Sequence, residues 1–163
     1  MKLIRKNSSQ TDTVIEKVGK EPWQLLIVDD EPDVLAVTRL GLNNFRFMGR
    51  GLRFLEAGGA SQARKLRAEN PEIAMAMIDV VMESDDAGLK LVNHIRKELG
   101  NTMIRLIIRT GQPGVAPERE VVERYDIDDY KDKTELTAQK LFTTVRTALK
   151  GYHDLSVINC NRE

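Results

Sequence analysis

The chain has a single cysteine, Cys160, among 163 residues. No disulfide framework can form within it, which fits a reducing cytoplasm. It lacks an excess of either charge: Lys+Arg and Asp+Glu are both 25, for a formal net charge of zero. That argues against a dedicated nucleic-acid or membrane-surface binder, which shows a basic excess. No apolar stretch approaches the ~20 residues of a membrane span. Met1-Lys-Leu-Ile-Arg-Lys6 lacks the long apolar stretch of a signal peptide. Internal repeats and low-complexity segments are missing too. The two histidines, His94 and His153, have no second ligand at metal spacing and are read as solvent-facing. The expectation is a soluble, cytoplasmic protein.

What is present is an alternation of two patterns. The length suits one domain with a core and short tails. Residues 1–21 are polar and weakly periodic and read as a flexible N-terminal arm. Residues 22–151 read as the domain, and 152–163 as a linker or the start of a further helix. Strand-like runs fall at 24–28, 52–55, 73–78 and 104–108. Residues 129–131 are a poor strand by propensity, assigned as one because the alternation demands it. A helix is expected from Pro32, a first-turn proline, through Leu40. The next follows Ser61 as its N-cap and stops at Asn70-Pro71. A third follows Asp85 or Asp86, carries Leu89, Val92, Ile95 and Leu99 inward, and stops at Gly100. Shorter and longer helices are expected at 117–124 and 135–150. The latter has a stripe of Leu141, Phe142, Val145, Ala148 and Leu149. Five βα units with short connections imply an α/β fold: a doubly wound five-stranded parallel sheet with helices on both faces.

Asp79 is the residue out of place. It closes the apolar run Ile73-Ala-Met-Ala-Met-Ile78. A charge inside a buried strand is costly unless paired or solvated. At the C-terminal end of a parallel strand the cost falls away, because that edge faces the crevice where open α/β sheets hold their sites. The first strand ends the same way, in Asp29-Asp30. After the fourth come Thr110 and Gly111; near the fifth, Lys131 and Lys133. Three carboxylates at one edge repel each other and call for a cation. Oxygen ligands suit a hard divalent ion, Mg²⁺ above all. A hydroxyl and an ammonium add donors for a phosphoryl group. The composition of the edge points to an aspartyl-phosphate.

The set Val28-Asp29-Asp30-Glu31, Ile78-Asp79, Arg109-Thr110-Gly111 and Tyr130-Lys131-Asp132-Lys133 resembles the receiver domain of bacterial two-component response regulators. The resemblance covers roughly residues 23–151, with the motifs in order. It implies a flavodoxin-like receiver fold and a set of roles. Asp79 would accept the phosphoryl group from a sensor histidine kinase or phosphotransfer protein. Asp30 would bind Mg²⁺ directly and Asp29 largely through water, with Asp79 and the backbone carbonyl of Val81 as further ligands. Thr110 and Lys133 would hold phosphoryl oxygens beside Gly111. Phosphorylation would draw Thr110 inward and let Tyr130 swing into the space behind it. Self-catalysed phosphoryl transfer onto Asp79 and slow autodephosphorylation would be its only chemistry, so it would be a switch rather than a metabolic enzyme. A narrower likeness, in Asp79-Val-Val-Met-Glu83, Arg109-Thr-Gly-Gln-Pro-Gly114 and residues 125–137, implies the N-terminal part of a longer regulator. There a sensor-like domain precedes an output: a cyclic-di-GMP enzyme of the HD-GYP or GGDEF kind, or a kinase.

Two departures stand out. Thr134 follows Lys133 where the family has proline, often after a cis bond; a cis bond before Thr would cost ~2.5–4 kcal/mol. Glu83 stands four residues after the acceptor, where proline is usual, in a loop about one residue longer. They motivate an alternative: a pseudo-receiver serving as a phosphorylation-independent interaction module. A haloacid-dehalogenase-like phosphatase ranks low, since Asp29-Asp30-Glu31 lacks the D-x-D arrangement. Lys131 rivals Lys133, which is favoured for its three-residue step from Tyr130. Arg109 is read as exposed. Leu141, Val145, Ala148, Tyr152 and Leu155 step by fours and threes, so the last helix could run on as a dimerising coiled coil. Gly151 argues for a stop instead. Finally, Val81 is apolar where many receivers carry a polar side chain, which predicts slow attack by water. After acetyl phosphate is removed, phospho-Asp79 is expected to outlast seconds; a half-life of seconds would contradict this.

Overall fold

The computed structural model describes residues 21–111, 114 and 117–162, the last two of these by backbone alone. Nearly all of the expected N-terminal arm lies outside the described residues. Five strands form one parallel sheet: β1 (Trp23–Val28), β2 (Leu52–Ala57), β3 (Ile73–Ile78), β4 (Arg105–Thr110) and β5 (Asp129–Asp132), in the order β2-β1-β3-β4-β5. Between and after them come α1 (Pro32–Gly41), α2 (Ala60–Glu69), α3 (Ala87–Asn93), α4 (Glu118–Arg124) and α5 (Ala138–Arg162). The doubly wound architecture is as the alternation predicts. No described helix is long and apolar enough to cross a membrane.

The two faces of the sheet carry separate cores. Leu26, Val28, Ala76, Ile78, Leu106 and Ile108 pack beneath Ala63 of α2, Leu91, Val92 and Ile95 on and after α3, and Val121 of α4. Leu25, Ile27, Met75, Met77 and Ile107 pack against Leu141, Val145 and Leu149 of α5. Alternation along each strand sorts residues to the two sides. All six residues of β3 are buried, as a central parallel strand requires.

β5 forms despite its composition. Tyr130 is its buried residue, in register with Ile108. Asp128 fixes the start: its N–H donates to Leu106 O at 2.8 Å, and its Oδ2 accepts from Leu106 N at 2.7 Å. The same Oδ2 accepts from Arg96 Nη2 at 2.8 Å. Arg96 lies in a π-helical turn, His94–Glu98, that extends α3, and it also donates to the carbonyls of Asp126, Asn101 and Ile104. Gly100 then turns the chain with φ +66°.

Several local expectations are corrected. Ser61 does not cap α2; Gly59 holds that position, and Glu83 from another loop meets the leading amides. Asp86 does precede α3, but its carboxylate accepts from Ser84 Oγ and makes no capping bond. The last helix starts at Ala138 rather than 135, because Asp132 and Glu135 form a capping box around the turn Lys133–Glu135. It passes through Gly151, where a Cβ would sit 3.4 Å from Arg105 Cδ; there the missing side chain makes room for a neighbour. Phe142 is exposed and meets Phe45 at 5.2 Å between ring centroids. Neither histidine faces solvent freely. His94 is half-buried against Glu98, and His153 lies edge-on to Trp23.

Arg96 joins α3, β4 and the entry to β5 while almost wholly buried. Arg96→Ala removes the partner of three carbonyls and one of the partners of Asp128, which keeps Arg105 and the Leu106 amide, an expected loss of about 2–4 kcal/mol in urea unfolding. Arg96→Lys, without the planar fork, is expected to recover little of it.

Candidate functional site

The C-terminal ends of β1, β3 and β4 converge at one edge. Asp79 follows β3, and its N–H donates to Val28 O at 2.9 Å, so the ladder with β1 fixes its backbone. Asp29 follows β1 and is fully buried; its Oδ1 accepts from Glu31 N at 2.9 Å, turning the chain into α1. Ligand oxygens of Asp29, Asp30, Glu31 and Asp79 all lie within 4.8 Å of one another.

Lys133 bridges this cluster. Its Nζ lies 2.8 Å from Asp29 Oδ2, 2.9 Å from Glu31 Oε2 and 3.2 Å from Asp79 Oδ2. Beyond this ion pair with Lys133, the buried Asp29 Oδ2 has no hydrogen-bond partner, so it keeps a lone pair for a cation. Lys131 is not in the cluster; its Nζ is 3.5 Å from Asp129. Between the two lysines, geometry selects Lys133. The Lys133–Thr134 bond is trans, and Asp132 Oδ1 accepts from both the N–H and the hydroxyl of Thr134.

Asp30, Glu31, Asp79, Val81, Gly111 and Lys133 line a cavity of about 330 Å³ at this edge. Thr110 is fully buried at the end of β4, one residue before Gly111. Tyr130 is buried on the face shared with Ile108. The structure therefore brings Asp29, Asp30, Asp79, Val81, Gly111 and Lys133 together and keeps Thr110 and Tyr130 inside the adjoining sheet.

Three residues escaped the sequence reading. Glu31 carries no role in the motif Val28-Asp29-Asp30-Glu31, yet its carboxylate binds Lys133. Arg109 is 5% exposed rather than solvent-facing; its Nη1 donates to Thr38 Oγ1 at 2.8 Å, and Nη2 has no hydrogen-bond partner. Its position two after Ile107 places it on the α5 side of the sheet, a signal that strand alternation carries. Glu83 stands out in the sequence only as a departure from proline; its partners lie on α2, beyond local reading. The amide of Ala60 holds the Glu83 carboxyl below its usual pKa.

The electrostatics follow from the crowding. Burial, then the charge of Asp29, pushes the Asp79 pKa up from 3.8 to about 6, while Lys133 opposes the shift. Burial pulls Lys133 down, but its carboxylate partners Asp29 and Glu31, with the charge of Asp79, outweigh this and raise its pKa. Burial also lowers Arg109, against the pull of Asp29 and Asp79. A group whose folded pKa is raised adds most to stability below its unfolded pKa. That contribution is lost as pH rises from about 3.8 through about 6. Asp79→Asn cannot ionise, so without metal at pH 8 it is expected to be about 1–3 kcal/mol more stable than the parent in urea. The gap should close below pH 4 and shrink when Mg²⁺ is added to the parent.

No family model matches the chain. Over 140 residues, 86% of its length, the chain is 50% identical to the 3'3'-cGAMP-specific phosphodiesterase 2 of Vibrio cholerae. It spans only 27% of that protein. Among solved structures it is similar to the signal receiver domain of an HD domain-containing protein from Pseudomonas fluorescens. There the TM-score is 0.69 at 23% identity, over 84% of this chain and 93% of that one. A response regulator receiver domain from Clostridium thermocellum gives a TM-score of 0.68 at 22% identity, over 82% of this chain and 98% of that one. The chain has the fold of a response-regulator receiver domain.

Proposed function

We propose that the chain is a phosphorylatable receiver, with Asp79 as the acceptor of a phosphoryl group from a sensor histidine kinase or phosphotransfer protein. The observation that carries this is the convergence of Asp29, Glu31 and Asp79 on the ammonium of Lys133, with Asp30 in the same acidic cluster at that sheet edge. The donor set fits Mg²⁺: all oxygen, densely anionic, with one buried Asp29 oxygen that has no hydrogen-bond partner beyond its ion pair with Lys133. Asp29, Asp30, Asp79 and the Val81 carbonyl would hold it, and when bound it supplies charge neutralisation for the incoming phosphoryl oxygens.

The chain's own residues account for the rest. With a pKa of about 6, Asp79 is mostly ionised at neutral pH and is the nucleophile. Its oxygen forms the new O–P bond as the donor histidine's N–P bond breaks, and the electron pair returns to the imidazole. Lys133 balances the charge that arrives on the phosphoryl group. Thr110, drawn toward a phosphoryl oxygen, and Tyr130, buried nearby on the next strand, are the switch pair. By the same likeness, the receiver controls an output domain of a longer chain, a cyclic-dinucleotide phosphodiesterase. Homodimer formation along α5 belongs to this reading, as does a cytoplasmic setting.

Acetyl phosphate with Mg²⁺ tests the proposal directly. Intact-mass analysis is expected to show a gain of one phosphoryl group in the parent and none in Asp79→Asn or with a chelator present. A folded parent that gains no mass would instead be a phosphorylation-independent interaction module.

A further inference from the structure

We infer that Glu83 is a positioning residue for the acidic site: its carboxylate ties the loop carrying Val81 to the N-terminus of α2. This rests on the reading of the site as a Mg²⁺-dependent receiver centre.

Val81 lines the cavity from the loop between β3 and α3, the connection from Asp79 to Asp86. Both ends of that connection are pinned by backbone. The N–H of Asp79 donates to Val28 O, and the N–H of Gly88 donates to Val80 O, both at 2.9 Å. A Cβ on Gly88 would stand 1.9 Å from Asp79 O, so the returning backbone touches the acceptor residue itself. Past Val80 the loop's own backbone makes only short-range bonds, Met82 N to Ser84 O at 3.1 Å and Ala87 N to Ser84 O at 3.4 Å.

Glu83 supplies the tie outward. Its two carboxylate oxygens accept from Ala60 N at 2.9 and 3.1 Å, and one also accepts from Ser61 N at 3.3 Å. These amides open a ten-residue helix, so they are unpaired donors at its positive end. Gly59 is part of the same contact. Its backbone is extended and puts no demand on φ, but a Cβ there would meet Glu83 Oε2 at 2.8 Å. The missing side chain gives the carboxylate its seat. The loop carrying Val81 is thus anchored to a helix packed over β2 and β1 on the same face of the sheet as α3.

Misplacing a group behind a metal ligand typically weakens metal binding about 10–100-fold. The test titrates Mg²⁺ calorimetrically into the full chain and follows amide exchange at Ala60 and Ser61. Glu83→Ala is expected to weaken Mg²⁺ about tenfold and to expose both amides, with unfolding of the metal-free protein little changed. Glu83→Gln keeps an acceptor oxygen and should recover most of the affinity. Gly59→Ala, which displaces the carboxylate while leaving Glu83 present, should reproduce the loss. Wild-type Mg²⁺ affinity in both Glu83→Ala and Gly59→Ala, or unchanged protection of the Ala60 amide in Glu83→Ala, would overturn the inference while leaving the receiver reading intact. A parent chain that binds no Mg²⁺ would remove both.

Discussion

Mutual repulsion among Asp29, Asp30, Glu31 and Asp79 is the constraint around which the structure is arranged. Their oxygens sit within 4.8 Å of each other, at the edge of a sheet whose central strand β3 is wholly apolar. Such a cluster is tolerable only with opposite charge in contact. Lys133 provides it, and a long reach makes it available: 102 residues separate it from Glu31. The closure from β5 back to β1 is therefore an electrostatic one laid over a hydrogen-bonded sheet. The same crowding leaves the site under tension that any added cation, or a neutral acceptor, would relieve.

Arg109 adds a second positive group on the α5 side of the sheet. It is almost fully buried, and its hydroxyl partner Thr38 is carried by α1. The carboxylates it faces, Asp29 and Asp79, offset part of the cost of burying it. Thr38 in turn donates back to Val34 O at 2.7 Å. Charge at the sheet edge is thereby coupled to the helix beside it without passing through the cavity.

The strand-end acids were legible because an Asp closing a six-residue apolar run has few explanations. The parallel five-stranded sheet followed from alternation, and even β5 could be placed by counting. What sequence could not supply was non-local. Ser61 looks like a cap, but Glu83 arrives from another loop to take the bonds. Arg109 looks like a surface charge until the pleat and Thr38 are known. Gly151 looks like a stop, and would be in isolation, since glycine in a helix interior costs about 1 kcal/mol relative to alanine. Arg105 on one side and the contacts of Tyr152 and His153 with Trp23 on the other hold the helix through it.

That continuity gives α5 a mechanical character. At 1.5 Å per residue, Ala138–Arg162 forms a rod about 37 Å long, of which the first half is embedded in the domain. Its outer half continues the inner half as one unbroken helix. Angular phase along that axis is then a design variable: one residue added or removed beyond Tyr152 would rotate anything borne on the far end by about 100°. Two chains of this kind could share every residue of the acidic edge and still present a partner in opposite orientations.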